Sequence, residues 1–363
     1  MFLQFMSFKN ATLSDPDEED EPGPIEKLQT AIVQNVNLYA EKYEEEFGDY
    51  LPGFTTAIWA LLTTVGGQTK YETLASCGIK FLASVVSKNH YATLFSSGDS
   101  LTQIVEQIVV PNLLLRESDE DLFEDNPTEW IQKDLEGNDS DTRRRCAVDL
   151  VRGMGKTFEV QTTQICGGRI MAMLQDYSTD PANKWRSKDA ALQLLVAVSV
   201  KTQSAAQGVS ETNAAIDIME LVNNHVLPEL AVPSALSNGQ LDDLPILRAD
   251  CIKFIATFRN QIPVASVRQL LPLVVAHLRS ASRVVQSYAA FCVERLLMVK
   301  DRPAGAAPGS RLTGTPRFGR AELQPHLQLV FENLFVILTK TDESFENPHV
   351  MKAIMRCLHV AQE

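Results

Sequence analysis

Apolar residues recur at steps of three or four along most of the chain, and strand-like alternation is nearly absent. This spacing places the apolar side chains on one face of a helix. The first such stripe comprises Ile25, Leu28, Ile32, Val36, Tyr39, Tyr43 and Phe47. The pattern predicts an all-α chain with helices over residues 25–47, 51–65, 69–87, 100–115, 141–159, 162–177, 186–202, 211–227, 244–261, 264–279, 282–299, 321–340 and 346–361.

Short turns join most of these helices, which favours antiparallel helix pairs. One motif recurs: a basic residue, then a small residue, then large apolar residues at helical spacing. It occurs as RRRCAVDLV, KDAALQLLVAV, RADCIKFIATF and RVVQSYAAFCVERLL. Two-helix units of about 40 residues are typical of HEAT repeats. We therefore predict a right-handed α-solenoid of HEAT repeats over residues 25–363, with a non-repetitive helical bundle as the alternative.

Several segments interrupt the helical rhythm. Residues 1–24 contain the acidic run SDPDEEDEPGP and are predicted to be a disordered leader. Residues 301–320 are rich in glycine, proline and alanine and are predicted to be a flexible loop. A shorter polar interruption spans 232–243, and an acidic insertion spans 117–141.

The acidic insertion holds eleven carboxylates and one base, Lys133. Such density is self-repulsive, and a cationic partner would relieve it. Pro127 and Glu129 favour a short helix that Trp130 and Ile131 could pin to the scaffold. A merely solvated acidic loop is the alternative. The candidate partner-binding residues are Glu117, Asp119, Glu120, Asp121, Glu124, Asp125, Glu129, Trp130, Asp134, Glu136, Asp139, Asp141, Arg143, Arg144 and Arg145.

The arginine triplet Arg143–Arg145 opens a predicted helix, where the helix dipole disfavours cations. The adjacent carboxylates would offset that cost. We expect charge-assisted pairs between the two groups to tether the root of the insertion.

Nothing in the chain points to catalysis, a cofactor or a metal. The GMGKT stretch at 153–157 resembles the end of a phosphate-binding loop, but Leu150 occupies the position of its first glycine. A helix end or a close helix contact explains these glycines better, and a turn is expected at ICGGRIM, 165–171. We predict that the protein is not an enzyme.

The formal net charge of −13 disfavours nucleic acid and anionic membranes as partners, and favours a basic or mixed-charge protein. The apolar runs are too short for insertion into a membrane. The six scattered cysteines indicate reduced thiols and an intracellular compartment.

Several segments resemble the CAS-type exportin of the karyopherin-β superfamily, collinearly from about Asp15 to Glu363. They include YAEKYEEEFGDYLPGFTTAIW, FEDNPTEWIQKDLEG, DTRRRCAVDLVRGM, FRNQIP and NPHVMKAIMRC. The resemblance implies a HEAT-repeat nuclear transport receptor that binds importin-α and Ran in its GTP form and shuttles between nucleus and cytoplasm. It also implies contact with nucleoporin FG repeats, and an insertion on the concave, partner-facing side.

Family members are far longer, so the resemblance implies that this chain corresponds to a central fragment. The rival hypothesis is a generic HEAT-repeat scaffold that binds other proteins without any dependence on Ran.

Overall fold

The computed structural model describes residues 1–10, 13, 20–136, 141–204, 208–231, 244–301, 314–340 and 347–362. The chain divides into two compact units. Unit 1 comprises Met1–Ser118 and Asp139–Val198, and unit 2 comprises Asp119–Asn138 and Ser199–Glu363.

Helices dominate the described residues, as the apolar periodicity predicts. The first ten are α1 (Phe2–Met6), α2 (Pro24–Lys42), α3 (Glu44–Phe47), α4 (Leu51–Leu62), α5 (Glu72–Val86), α6 (Ser100–Ile104), α7 (Val110–Leu113), α8 (Glu117–Asp125), α9 (Pro127–Asp134) and α10 (Arg143–Thr157). The others are α11 (Glu159–Thr179), α12 (Trp185–Ser199), α13 (Ile218–Leu221), α14 (Leu227–Ala231), α15 (Pro245–Thr257), α16 (Val264–His277), α17 (Arg283–Leu297), α18 (Arg320–Leu323), α19 (Leu327–Lys340) and α20 (Pro348–Gln362).

Two π-helical turns join short α-helices into longer ones. Val105–Val109 connects α6 to α7, and Val222–Val226 connects α13 to α14. These composite helices correspond to the single helices predicted over 100–115 and 211–227, although the second begins several residues later than predicted.

In unit 1, consecutive helices pack as pairs, α4 with α5 and α10 with α11, and α5 also packs along α10. The α5–α10 contact is close at Gly153. A Cβ added there would lie 2.8 Å from the carbonyl oxygen of Ala83 on α5. The expectation of a close helix contact at this glycine is confirmed.

The whole GMGKT stretch lies within α10, so no loop exists there to wrap a phosphate. Thr157, its last residue, donates its hydroxyl to the carbonyl oxygen of Val86 at 2.7 Å. The turn predicted at ICGGRIM is wrong, because Gly167 and Gly168 lie inside the 21-residue helix α11. Helix packing on the flanking apolar residues overrides the weak helix propensity of a glycine pair.

The first predicted apolar stripe is correct for Ile25, Ile32 and Val36, which are buried. It is wrong for Leu28, Tyr39 and Tyr43, which are exposed. Helix α2 ends at Lys42, and Tyr43 departs from helical geometry with φ −131° and ψ 49°. The buried face follows the true helical period and so drifts away from Tyr39.

The structure differs from the predicted leader at its beginning. Residues 2–6 form α1, in which Met6 is buried. The side-chain amide of Gln29 on α2 donates to the carbonyl oxygen of Met6 at 3.1 Å. Packing of MFLQFM against α2 supplies the apolar burial that composition alone did not reveal. Residues 11–12 and 14–19 of the leader lie outside the described residues.

Unit 2 is organised around α17, which packs against α15, α16 and α20. Five residues separate α16 from α17, so the chain must reverse direction between them. Tyr288, Val285 and Leu296 of α17 are almost fully buried.

A β-hairpin in unit 2 was not predicted. Strand β1 (Val200–Ser204) pairs antiparallel with β2 (Gly208–Thr212) where the sequence suggested helix ends. The carbonyl oxygen of Val209 accepts hydrogen bonds from Asn260 Nδ2 at 2.8 Å and Gln261 Nε2 at 3.1 Å. Gly208 has a φ of +74° and leaves no room for a Cβ beside the Arg259 guanidinium, which explains the glycine.

Part of the predicted flexible loop is held in place. Arg317 donates its backbone N–H to the carbonyl oxygen of Val299 at 2.9 Å and its Nη1 to that of Asn260 at 2.7 Å. Phe318 is fully buried. The structure therefore differs from the prediction over 314–320, because one aromatic anchor and one arginine fix the chain. Residues 302–313 and the interruption at 232–243 lie outside the described residues.

Candidate partner-binding site

The acidic insertion forms two short helices, α8 and α9. Asn126 separates them and caps α9, because its Oδ1 accepts the backbone N–H of Glu129 at 3.2 Å. Its Nδ2 donates to Glu129 Oε2 at 2.8 Å, and Pro127 occupies the first turn. Glu129 also pairs with Lys133 at 2.6 Å, one turn later. Cap, proline and ion pair are the local signals expected of a helix start.

Aromatic burial anchors α9 within unit 2. Trp130 and Ile131 are buried, and the Trp130 ring meets the buried Phe123 of α8 edge-on at 5.2 Å. Trp130 Nε1 donates to the hydroxyl oxygen of Tyr288 on α17 at 3.2 Å. The expectation that Trp130 and Ile131 pin this helix is therefore confirmed.

Asp134 completes a polar cluster beneath α9. The buried Tyr288 hydroxyl donates to Asp134 Oδ2, and Lys253 of α15 donates to Asp134 Oδ1 at 2.7 Å. Burial, together with the adjacent Asp134 carboxylate, raises the pKa of Tyr288 well above its ordinary value. Tyr288 therefore remains a neutral donor, and Asp134 serves to hold the insertion.

Glu136 lies beside a buried histidine of α20. Its Oε1 is 3.1 Å from His349 Nε2. Burial lowers the pKa of His349 and Lys352 lowers it further, whereas Glu136 and Glu294 raise it. The ring of His349 also packs edge-on against Phe291 at 5.5 Å. The residues from 129 to 136 thus serve mainly to hold the insertion against α15, α17 and α20.

Helix α8 presents its carboxylates differently. Asp121, Glu124 and Asp125 are exposed, as is Glu117 at its start, and none of the four has an ion-pair partner among the described residues. The spacing of three and four residues from Asp121 to Glu124 and Asp125 places these three along one side of the helix, and we call the three the α8 stripe. Asp119 and Glu120 are half-buried and have partners of their own.

The α8 stripe does not stabilise its own helix at the C-terminal end. Glu124 and Asp125 lie in the last turn, where the helix dipole disfavours anions, and that turn contains no basic residue. These residues are exposed, and they destabilise α8 when no partner is bound. They are therefore candidates for contact with a cationic partner.

The ion pairs described for Arg143 and Arg144 differ from the expectation for the arginine triplet. Arg143 is buried and donates Nη1 to the Gly66 carbonyl oxygen at 2.9 Å, and its Nε lies 3.1 Å from Glu72 Oε2. Arg144 Nη2 pairs with the fully buried Asp189 at 2.7 Å. Both ion pairs use carboxylates outside the insertion. A buried guanidinium needs several fixed acceptors, which neighbouring helices supply better than an exposed loop.

The remaining predicted residues fall near this helix start. Asp141 pairs with Lys80 at 2.8 Å, and both side chains are about half exposed. Arg145 is exposed, and its backbone N–H donates to the capping hydroxyl of Thr142 at 3.3 Å. Asp139 lies outside the described residues.

Sequence reasoning missed the residues that receive the insertion, namely Tyr288, Lys253 and His349. One signal was available for Tyr288. A tyrosine inside the apolar run VVQSYAAFCV must be buried, and a buried hydroxyl needs a hydrogen-bond partner. The partner itself is 154 residues away along the chain.

The described residues contain neither a membrane-spanning helix nor a metal-binding cluster. None of the helices there combines the length and apolar character needed to cross a bilayer. No group of three or more histidine, cysteine or acidic residues within the described ranges is arranged to hold a metal ion.

Comparison with known proteins decides the family. A family model described as Cse1 matches residues 1–293, and a second, described as the C-terminus of the CAS/CSE protein, matches residues 294–363. The chain belongs to the Cse1 family. The match begins at residue 1, so it extends further towards the N-terminus than the resemblance drawn from Asp15 onward.

Members of the Cse1 family from animals are similar over nearly the whole chain. Exportin-2 of Mus musculus is 43% identical over 347 residues, which cover 96% of this chain and 34% of that protein. Exportin-2 of Xenopus laevis is 42% identical over 362 residues, which cover 100% of this chain and 35% of that protein. The chain thus spans about a third of the length of these relatives.

A solved Cse1 structure confirms the fold class. The exportin Cse1 in its cargo-free, cytoplasmic state superimposes with a TM-score of 0.84 at 31% identity, over 99% of this chain and 36% of that one. The prediction of an all-α HEAT-repeat fold is confirmed by this match. The resemblance to CAS-type exportins is likewise confirmed.

Proposed function

We propose that this chain forms part of a nuclear transport receptor that carries importin-α out of the nucleus together with Ran in its GTP form. Membership of the Cse1 family supports the class of function. The observation that supports the site is the contrast within the insertion: α9 is anchored, whereas the α8 stripe is exposed and lacks ion pairs among the described residues.

The proposed mechanism is electrostatic recognition by a preorganised surface. The anchor formed by Trp130, Tyr288 and Asp134 holds α9, and α8 directly precedes α9, separated from it only by Asn126. The carboxylates of the stripe therefore reach a basic partner surface without first being ordered, which lowers the entropic cost of binding. Exposed charges of this kind act mainly on association rate and specificity, and salt screens them.

The chain binds Ran-GTP without hydrolysing nucleotide in this proposal. GMGKT lies inside α10 and forms no phosphate-binding loop, which supports a receptor role over an enzymatic one. The receptor would move between nucleus and cytoplasm through contacts with FG-repeat nucleoporins. Its net charge of −13 makes nucleic acid an unsuitable partner.

The first experiment measures retention of importin-α on the immobilised chain, with Ran loaded either with a non-hydrolysable GTP analogue or with GDP. We expect importin-α and Ran to be retained together, each increasing retention of the other, and only with the GTP analogue. Retention of proteins regardless of nucleotide would instead indicate the generic HEAT-repeat scaffold.

The second experiment tests the α8 stripe by the triple substitution Asp121→Asn, Glu124→Gln and Asp125→Asn. We expect the affinity of the chain for importin-α and Ran to weaken by about tenfold at low salt. The salt dependence of that affinity should become less steep. The matched control, called here the distal control, neutralises three exposed glutamates on other helices: Glu106→Gln, Glu159→Gln and Glu220→Gln. Equal affinities for the stripe variant and the distal control would exclude a specific contact role for α8.

A further inference from the structure

A second surface of unusual composition lies where α2 ends, in unit 1. Three tyrosines there remain exposed: Tyr39 by 48%, Tyr43 by 51% and Tyr50 by 62%. Exposed aromatic side chains in a row are uncommon on a monomer and mark contact surfaces. We call this the aromatic–acidic surface, and it consists of Tyr39, Tyr43, Phe47 and Tyr50 with Glu41, Glu45, Glu46 and Asp49.

The rings form a continuous ladder. The ring centroids of Tyr39 and Tyr43 are 5.4 Å apart, those of Tyr39 and Phe47 are 6.0 Å apart, and those of Phe47 and Tyr50 are 6.2 Å apart. Phe47 also stacks at 5.5 Å on Phe54, which is buried in the core. The ladder is therefore fixed at its base while three of its rings face solvent.

The backbone explains why these rings share one surface. Helix α2 stops at Lys42, α3 adds a single turn, and the chain continues as the 3-10 turn Gly48–Tyr50 before α4. Each change of helix alters the direction in which the following side chains project. A continuous helix would also place these rings on one face, but it would separate Tyr39 from Phe47 by about 12 Å along its axis. The breaks bring the two ring centroids to 6.0 Å.

Carboxylates surround the ladder. Glu41, Glu45, Glu46 and Asp49 are exposed, and none has an ion-pair partner among the described residues. Between residues 39 and 50 the only base is Lys42. The surface thus combines the negative faces of aromatic rings with exposed carboxylates that form no ion pair among the described residues.

One cation of the chain already illustrates how such a surface binds positive charge. Lys88 Nζ lies 2.9 Å from Glu44 Oε2 and 6.0 Å from the centre of the Tyr91 ring. His90 Nε2 lies 2.7 Å from the other oxygen of Glu44. The hydrogen bond from Lys88, more than that from His90, lowers the pKa of Glu44, whereas burial raises it. Glu44 is therefore occupied, whereas its neighbours Glu45 and Glu46 are available.

We propose that the aromatic–acidic surface binds an arginine-rich, extended segment of a partner protein. A guanidinium can stack on a tyrosine ring and still pair with a carboxylate, whereas an ammonium is more strongly hydrated and stacks less well. Exposed carboxylates repel phosphate groups, so nucleic acid and anionic lipid do not fit. This proposal does not rest on the proposed function, because it requires neither Ran nor importin-α.

The test measures binding of a short fluorescein-labelled peptide of alternating arginine and glycine to the full chain by fluorescence anisotropy. We expect saturable binding, weaker binding of the lysine version by about threefold or more, and none of the glutamate version. Equal binding of the arginine and lysine peptides would contradict recognition by the rings.

Two sets of substitutions locate the binding. Tyr39→Leu, Tyr43→Leu and Tyr50→Leu together remove the rings without changing charge, and Glu41→Gln, Glu45→Gln and Glu46→Gln remove charge without changing the rings. We expect each set to weaken binding of the arginine peptide by about tenfold. The glutamine set alters only exposed side chains, so it should preserve the fold even if the leucine set does not.

The distal control and the α8 stripe variant distinguish this surface from general attraction to an acidic protein. Both should bind the arginine peptide as the parent chain does. If they lose as much affinity as the glutamine set, or if the folded leucine set binds like the parent, the proposal is wrong.

Discussion

The two helices of the acidic insertion, α8 and α9, differ in what their carboxylates contact. In α9, Glu129 pairs with Lys133 and Asp134 with Lys253, and Trp130 is buried beside them. In α8, the stripe of Asp121, Glu124 and Asp125 is exposed, without ion pairs in the described part of the chain. One acidic segment thus contains both an anchor and a presented surface.

Acidic composition alone therefore does not identify binding residues. Carboxylates of the same type become structural where the same helix or another one supplies a cation, and remain exposed where none does. Substitutions in α9 should therefore affect stability, and substitutions in the α8 stripe should affect binding. The following experiments test that division.

The largest effect is expected for Trp130→Ala, which empties the aromatic site between α9 and α17. We expect a loss of about 3–5 kcal/mol in the free energy of unfolding. Urea denaturation measures it, and faster amide hydrogen exchange in α8 and α9 locates it. Trp59→Ala, at a half-buried position on α4, is the control and should cost less. A loss for Trp130→Ala no greater than for this control would show that α9 is not anchored through its tryptophan.

The glycines of α10 offer the same contrast between like residues with different neighbours. Gly153→Ala places a methyl group 2.8 Å from the Ala83 carbonyl oxygen, and we expect it to destabilise the chain by about 1–3 kcal/mol. Gly155→Ala meets nothing within 4 Å and should stabilise α10 by about 0.5–1 kcal/mol. Thermal denaturation should show a lower midpoint temperature for Gly153→Ala and a higher one for Gly155→Ala. Equal shifts would refute the close α5–α10 contact.

A smaller loss is expected for Tyr288→Phe, which keeps the ring and removes the hydroxyl. Trp130 Nε1 then loses its acceptor and Asp134 loses a donor. We expect a cost of about 1–2 kcal/mol in the free energy of unfolding, measured by urea denaturation. Tyr50→Phe, at an exposed position, is the control and should change stability little. An unchanged midpoint for Tyr288→Phe would mean that the polar cluster adds nothing to aromatic packing.

Stability should also depend on pH through His349, which lies beside Glu136 of the insertion. Burial lowers the pKa of His349, so the unfolded chain takes up this proton more readily than the folded one. Neutral His349 makes its full contribution to the free energy of unfolding above the ordinary histidine pKa of about 6.5. That contribution is lost as the pH falls towards the lower pKa of His349 in the folded chain.

Denaturation at a series of pH values compares His349→Gln with His359→Gln, an exposed position on the same helix. In His349→Gln, the free energy of unfolding should fall less steeply than in the parent chain as the pH is lowered below about 6.5. In His359→Gln, it should fall as in the parent chain. The same slope in both would show that His349 does not titrate in this way.

The smallest effect on stability is expected for the triple substitution in the α8 stripe. Exposed side chains without partners contribute within about 0.5 kcal/mol, and removing anions from the last turn should be neutral or slightly favourable. Thermal denaturation checks this. A loss comparable to that of Tyr288→Phe would place the stripe on the structural side of the division and remove it from the proposed binding site.

Much of the fold was predictable because helical periodicity is local. Most helices, the two-helix units and the Trp130 anchor follow from spacing, caps and burial of large apolar residues. Several of the failed predictions have a contact made at long range as their cause. Asn260 and Gln261 hold the paired strands β1 and β2 through Val209, and Arg317 holds the chain around Phe318. The GG pair of α11 is helical because its flanks pack.

The candidate site was predictable as a segment but not as a set of contacts. Its carboxylates, its tryptophan and the cap at Asn126 are visible in the sequence. The division into anchor and stripe is not, since it depends on where Lys253, Tyr288 and His349 lie. Arg143 and Arg144 show the same limit, because Glu72 and Asp189 bind them in place of the adjacent acids.

Residue order alone establishes that this protein is built of packed helices, that one segment concentrates negative charge, and that its motifs resemble CAS-type exportins. Those properties depend on residue order over one or two turns of chain. The tertiary structure alone decided which carboxylates are neutralised, which tyrosines stay exposed at the end of α2, and which glycine admits a neighbouring helix. Charge pairing and burial depend on distance in space, and residues far apart in the sequence set those distances.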